Sequence, residues 1–214
     1  MIVRIVTMVA LMIMSELCIA SIENISEDKK ILWQKITEEN GVVVYIQEIK
    51  GSDIVRVKAQ IVIDVEMEKI QSFLDDLMYR KKWVPYLSEV RLLREYSATE
   101  RLEYSHFSAP WPASDRDFVY RQKLIHKDDK KIVFVLNVEE SDLMPEQNGI
   151  VRADMIESRY TLTSLGNRQT KAELIFHADP KGWLPDWIIN KIQEVLPYKM
   201  LRNLKFHVEK TNKD

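Results

Sequence analysis

Residues 182–208 read GWLPDWIINKIQEVLPYKMLRNLKFHV, and the rest of the chain is organised around them. Ile188, Ile192, Leu196, Met200 and Leu204 recur every four residues, with Ile189, Val195 and Leu201 beside them. That spacing predicts an amphipathic helix with a broad apolar face. Gly182 and Pro185 mark its start, and Pro185 is tolerated in a first turn because its missing N–H would have no partner there. Pro197 falls mid-pattern, where a lost donor and a crowded preceding turn predict a kink. So long an apolar face must lie on something. A terminal helix closing a curved sheet over a cavity satisfies it, and so does a helix packed on a solid core. Periodicity alone does not separate the two.

Upstream, most of the chain reads as strand. Residues 42–49 and 54–63 are β-branched runs joined through Lys50-Gly51-Ser52-Asp53, a hairpin pattern. In the second run Val55, Val57, Ala59, Ile61 and Ile63 share one face, and Arg56, Lys58 and Gln60 share the other. Further strands are expected at 89–96, 101–107, 117–126, 131–138, 150–165 and 169–177. The runs 98–100, 128–129 and 166–167 supply tight connections. Residues 109–113 and 142–148 read as longer loops. Ile132, Phe134, Leu136 and Val138 alternate with Val133 and Val135, so that strand is expected to be covered on both faces. Two more helices are expected. One starts at Ser26 with Leu32, Trp33 and Ile36 as its stripe and stops at Asn40-Gly41. The other is capped by Asp64, with Met67, Ile70, Leu74 and Leu77 as its stripe. Helices gathered on an antiparallel sheet make this an α+β fold.

The 214 residues suggest one domain, with 46% hydrophobic and 30% charged side chains. A net charge of −2 offers no basic field for nucleic acid. The five glycines argue against phosphate loops, and the single cysteine, Cys18, excludes an intramolecular disulfide. Residues 1–20 read as a targeting segment: Arg4, an apolar run over 5–14, and Cys18-Ile19-Ala20 before Ser21. A cleaved signal peptide is the expectation, with a secreted or periplasmic protein as its consequence. An uncleaved anchor and ordinary structure are the alternatives.

No catalytic motif is present, and no cofactor is implied. His106, His126, His177 and His207 are scattered without a second ligand at metal spacing, so no metal is expected. Three stretches remain that composition does not explain: Arg80 before Trp83, Pro112 through Tyr120 with Arg116 between Asp115 and Asp117, and Asp179 through Pro185. The plain readings are a surface arginine, a salt bridge pinning a strand end, and a tight turn.

Together these stretches resemble the START (StAR-related lipid-transfer) family. The matching pieces are Tyr79-Arg80-Lys81-Lys82-Trp83, Ser114-Asp115-Arg116-Asp117-Phe118-Val119, Met144-Pro145-Glu146-Gln147-Asn148-Gly149-Ile150-Val151-Arg152, and Asp179-Pro180-Lys181-Gly182-Trp183-Leu184-Pro185. They occur in the family's order over roughly residues 30–208, and the domain is placed at 27–210. The resemblance implies a helix-grip fold, in which a curved sheet wraps a long terminal helix around a tunnel for one lipid or sterol. Arg80 matches the arginine that meets phosphate in phosphatidylcholine-binding members. The choline-cage positions fall on Ser105, Phe118 and Ile156, where two of the three aromatics are missing. Glu103 matches the acid of sterol-binding members, and the position of its arginine partner holds Gln122. Arg121 is expected on the opposite face.

The resemblance thus implies a polar end organised by Arg80 and Glu103, with Gln122 and Ser158 near and Phe118 in the wall. Ile189, Ile192, Leu196 and Met200 form the helix side, and burial of lipid carbon supplies ~0.8 kcal/mol per CH₂. Trp111, in the loop 109–115, with Trp183 and Trp187 at the helix start, either form a gate that touches membrane or pack in the core. A monomeric lipid carrier with transient membrane contact is the leading reading. An enzyme on the same fold, a cyclase or hydratase with Glu103 as its titrating group, is the alternative. A ligand-gated interaction module is the third.

Overall fold

The computed structural model describes residues 32–139 and 142–212. Ten strands form one sheet: β1 (Gln34–Glu39), β2 (Val42–Gln47), β3 (Arg56–Ile63), β4 (Leu87–Ser97), β5 (Glu100–Phe107), β6 (Asp115–Asp128), β7 (Lys131–Val138), β8 (Ile150–Arg152), β9 (Asp154–Gly166) and β10 (Gln169–Asp179). The order is β1-β2-β3-β10-β9-β7-β6-β5-β4, antiparallel throughout, with β8 adding a short parallel pairing to β6. Two helices, α1 (Met67–Asp75) and α2 (Leu77–Arg80), join β3 to β4, and α3 (Asp186–Thr211) ends the fold. The terminal helix thus spans the predicted stretch, with Pro185 as its N-cap, and runs through Pro197 without interruption.

The first predicted helix is overturned. Residues 34–39 pair with β2, and Asn40 and Gly41, both at positive φ, make the turn between them. Asn-Gly is the dipeptide of a two-residue hairpin, and here it closes a hairpin rather than stopping a helix. Trp33 lies against the Lys58 ammonium, 4.6 Å from the ring centre. Ser26 and the rest of that predicted helix, like the targeting segment, fall outside the described residues. Asp64 is not a cap either. Glu66 takes the N-cap position of α1, and the Asp64 carboxylate accepts from the Gln169 amide at 2.7 Å. Leu77 belongs to α2, where the Asp76 carboxylate caps by accepting from Tyr79 N–H at 2.9 Å. The predicted strand 150–165 divides at Ala153 into β8 and β9.

Alternation sets the two faces of the sheet. Val57, Ala59, Ile61 and Ile63 of β3 are buried beneath α3 with Leu162, Ala172 and Leu174. The outer face of β5 and β6 is covered too, because residues 142–148 fold over Leu102, Tyr104 and Val119 and seat Met144 among them. The Arg152 guanidinium clamps that cover. It donates to both oxygens of buried Asp117, at 2.7 and 3.1 Å, and to the Met144 carbonyl at 3.1 Å. Val133 is buried on the outer side of β7 while Ile132 and Phe134 are buried on the inner side.

Candidate ligand cavity

Between the inner face of the sheet and the first half of α3 lies a cavity of about 630 Å³. Its sheet wall comes from β5, β6, β7, β9 and β10, and its helix wall from Ile188, Ile189, Ile192, Gln193, Leu196 and Met200. Leu74, Arg80, Trp83 and Val84 close one side, and the loop 108–113 with residues 183–185 closes another.

Arg116 fixes that second boundary. It is buried at the start of β6 and donates to the carbonyls of Ser114, of Pro180 at 3.3 Å and of Lys181 at 3.2 Å. The segment leading into α3 is thereby held against the start of β6. Asp115 ties down the neighbouring loop by accepting from Ala109 N–H at 2.9 Å, and its other oxygen lies 2.9 Å from His106 Nε2. Asp179 turns the chain ahead of α3 by accepting from Lys181 N–H at 2.8 Å. The tight turn holds, and the strand end is pinned, but Arg116 does so through backbone carbonyls, which bond it to the turn, while the salt bridge is that of Asp117 with Arg152.

The polar part of the wall lies deeper. Gln122 is six residues along β6 from Arg116, about 20 Å at the rise of an extended strand. Arg80 is buried and makes four bonds: to the Glu103 carboxylate, to Tyr120 Oη at 3.2 Å, to Gln122 Oε1 at 3.4 Å and to the Leu74 carbonyl at 3.1 Å. Tyr120 Oη donates to Glu103 at 2.9 Å and sits 2.8 Å from Ser105 Oγ. Arg101 donates to the second oxygen of Glu103 and to the Asp75 carbonyl at 3.1 Å. The two arginines thus also satisfy carbonyls left over at the end of α1. Ser158 stands on the same rung as Gln122, with Leu136 between them on β7.

Electrostatics keep this cluster charged but balanced. Burial pushes the Glu103 carboxyl up, but the charges and hydrogen bonds of Arg80 and Arg101 outweigh it and hold the carboxyl below its usual range. Burial disfavours the Arg80 cation as well, yet Glu103 and Tyr120 raise its pKa overall. Burial and the neighbouring carboxylate keep the Tyr120 phenol protonated. Asp75, 3.2 Å from Arg101, completes two positive and two negative groups.

The START domain family model matches residues 14–212. The chain belongs to the START domain family. Among relatives, the phosphatidylcholine transfer protein of Bos taurus is 28% identical over 162 residues, covering 74% of this chain and 75% of its own. An uncharacterized protein of Pseudomonas aeruginosa is 25% identical over 178 residues, covering 83% and 87%. Among solved structures, human STARD10 superposes with a TM-score of 0.79 at 22% identity, covering 87% of this chain and 76% of that one. A STAR-related lipid transfer protein from Xanthomonas axonopodis gives a TM-score of 0.74 at 25% identity, covering 83% and 98%. The helix-grip arrangement expected from the motifs is the one the START domain adopts here.

Of the site residues expected from sequence, Arg80, Phe118, Gln122, Ser158, Ile189, Ile192, Leu196 and Met200 line this START domain's cavity. Glu103 does not. It faces inward, but Arg80, Arg101 and Tyr120 cover it, so it is fully buried behind the wall. Its arginine partners are Arg80 from α2 and Arg101 from its own strand rather than a residue at position 122, and Arg121 bonds outward to Glu100 and Glu139. Ile156 is 55% exposed and leaves the wall to Met155, because the β9–β10 pairing slips by one residue there. Trp111 and Trp183 line the boundary and are 93% and 81% exposed, and Trp187 is exposed in the first turn of α3, so core packing is excluded for all three. Sequence reasoning missed Tyr120, Tyr160 and Gln193. Tyr120 was legible as the next inward position after Phe118. Gln193 was legible as the polar residue four after Ile189 and three before Leu196.

Proposed function

We propose that this START domain acts as a monomeric carrier of one lipid, held in the cavity with its polar end at the Arg80–Glu103–Tyr120 cluster and exchanged at a membrane. The observation that carries the reading is the wall itself: about 630 Å³, the size of a site for one small ligand, lined by apolar side chains and interrupted at depth by one charge-balanced cluster. Apolar burial supplies affinity and the cluster supplies orientation.

The cluster favours an uncharged head, as in a sterol. A phosphate would sit beside the ionised Glu103 carboxylate and compete with it for Arg80. A hydroxyl or carbonyl takes its place among Tyr120, Gln122 and Ser105 without that repulsion. The choline-cage positions hold Ser105, Phe118 and, by its place in the wall, Met155, which supply one aromatic ring. The relatives named for phosphatidylcholine transfer favour the zwitterionic head instead. Native mass spectrometry of the purified chain, followed by lipid extraction, decides. A stoichiometric neutral lipid supports the reading, and stoichiometric phosphatidylcholine replaces its head-group class. A protein carrying no lipid overturns it. Glu103 is a poor acid for a cyclase or hydratase, since it is ionised and already accepts from three donors.

Exchange is assigned to the exposed face of Trp111, Trp183 and Trp187, since indole rings favour the boundary between lipid and water. Tryptophan emission that does not shift on adding liposomes rejects this. Residues 1–20 are read as an export signal that places the carrier in the periplasm or outside the cell. An intact mass of the exported chain that starts at Ser21 is the expected result.

A further inference from the structure

Gln193 stands out within the helix wall. It is 2% exposed, it lines the cavity, and neither its amide oxygen nor its amide nitrogen has a hydrogen-bond partner. Ile189, Leu196 and Met200 continue the same stripe, so the amide interrupts an otherwise apolar face. A buried amide left unpaired is costly, and leucine or methionine at this position would avoid that cost. Among the described residues, Arg56, Glu66, Trp83 and His177 also hold buried polar atoms without a hydrogen-bond partner, and of these Trp83 lines the cavity. The Trp83 ring is packed against Phe73, 6.0 Å between centroids, so its bulk alone accounts for its place. Gln193 has no such account.

Depth along the helix says what could pair with it. Met200 marks the deep end, where Tyr160 Oη approaches its sulfur at 3.9 Å, one step beyond the Gln122–Ser158 rung. Gln193 comes seven residues earlier, about 10 Å nearer the boundary that Arg116 fixes. We propose that Gln193 is a second polar anchor of the cavity, which selects lipids carrying a second uncharged oxygen nearer the boundary than the head group held at the Arg80 cluster. An amide both donates and accepts, so a hydroxyl or a ketone oxygen serves. The ligand class is a doubly oxygenated neutral lipid: a ring system with oxygens at both ends, or an alkyl chain with a mid-chain hydroxyl. The inference rests on the carrier reading and on its uncharged head.

The test uses the exported chain and phosphatidylcholine vesicles doped with one probe at a time. The probes come in pairs, a 3-hydroxysteroid with and without a 17-hydroxyl, and stearyl alcohol with and without a mid-chain hydroxyl. Wild type is expected to extract the dioxygenated member of at least one pair about two- to tenfold better, the factor one net hydrogen bond supplies. Gln193→Leu should bind both members alike, with a thermal midpoint no lower than wild type. Gln193→Met serves as a second apolar variant should leucine misfold. Equal extraction of both members of both pairs by wild type overturns the proposal, as does a preference that survives in the apolar variants. Extraction of phosphatidylcholine and none of the four probes refutes the uncharged-head reading, and this proposal with it. Failure to extract any lipid refutes the carrier reading itself.

Discussion

The two walls of the cavity are built to different standards. On the sheet side Arg80, Glu103, Tyr120, Gln122 and Ser105 bond to one another, and the chain alone completes the network. On the helix side Gln193 is unpartnered, Ile192 is half exposed and Trp183 and Trp187 are open. The contrast runs within α3 itself. Its second half buries Leu201, Leu204 and Val208, ties Asn203 to the Trp83 carbonyl at 2.9 Å and ties Lys205 to the Val62 carbonyl at 2.9 Å. Identical periodicity in one helix therefore yields a packed anchor at one end and an open wall at the other. A carrier needs both, a frame that folds without cargo and a wall that the cargo completes.

The sharpest way to break this contrast is at Glu103. Glu103→Ala strands two arginines and should destabilise the chain by about 3–5 kcal/mol in urea unfolding. Arg80→Met combined with Glu103→Leu should restore most of that stability while lipid extraction stays impaired, which separates the network's fold role from its ligand role. Next comes the helix. Leu204→Ala should cost about 2–5 kcal/mol, whereas Ile192→Ala, on the open half, should cost within about 0.5 kcal/mol and lower lipid extraction. Comparable losses at both positions would erase the distinction between the halves.

A smaller effect is expected with pH. The folded Glu103 carboxyl lies below its ordinary value, so its contribution is complete above about pH 4.3 and is lost as pH falls through the lower folded value. Urea midpoints measured across the acid range should therefore fall more steeply for wild type than for Glu103→Gln. The smallest stability change belongs to the open rim. Trp111→Ala with Trp183→Ala should move stability by about 0.5 kcal/mol or less, yet slow lipid transfer between vesicles. Unchanged transfer would remove the rim from the mechanism.

Much of the cavity was legible in sequence. The resemblance gave Arg80, Phe118, Gln122 and Ser158, and the four-residue period gave Ile192, Leu196 and Met200. What failed did so for local physical reasons. Asn40-Gly41 ends helices and closes hairpins equally well, and the pairing of β1 with β2 chose the hairpin. Ile156 followed alternation until the β9–β10 slip turned it outward. Gln193 was passed over because a polar residue in an apolar stripe acquires meaning only when its surroundings hold no partner.

The sequence by itself determined the α+β class, most of the strand pattern and the amphipathic terminal helix, because alternation and helical period are properties of neighbours along the chain. The tertiary structure decided that the first half of that helix faces a cavity and the second half a core. It also paired Arg80 with Glu103 across 23 residues of chain, and it left three tryptophans in the open. These outcomes depend on which distant residues meet, and so on the curvature of a sheet whose strands are far apart in sequence.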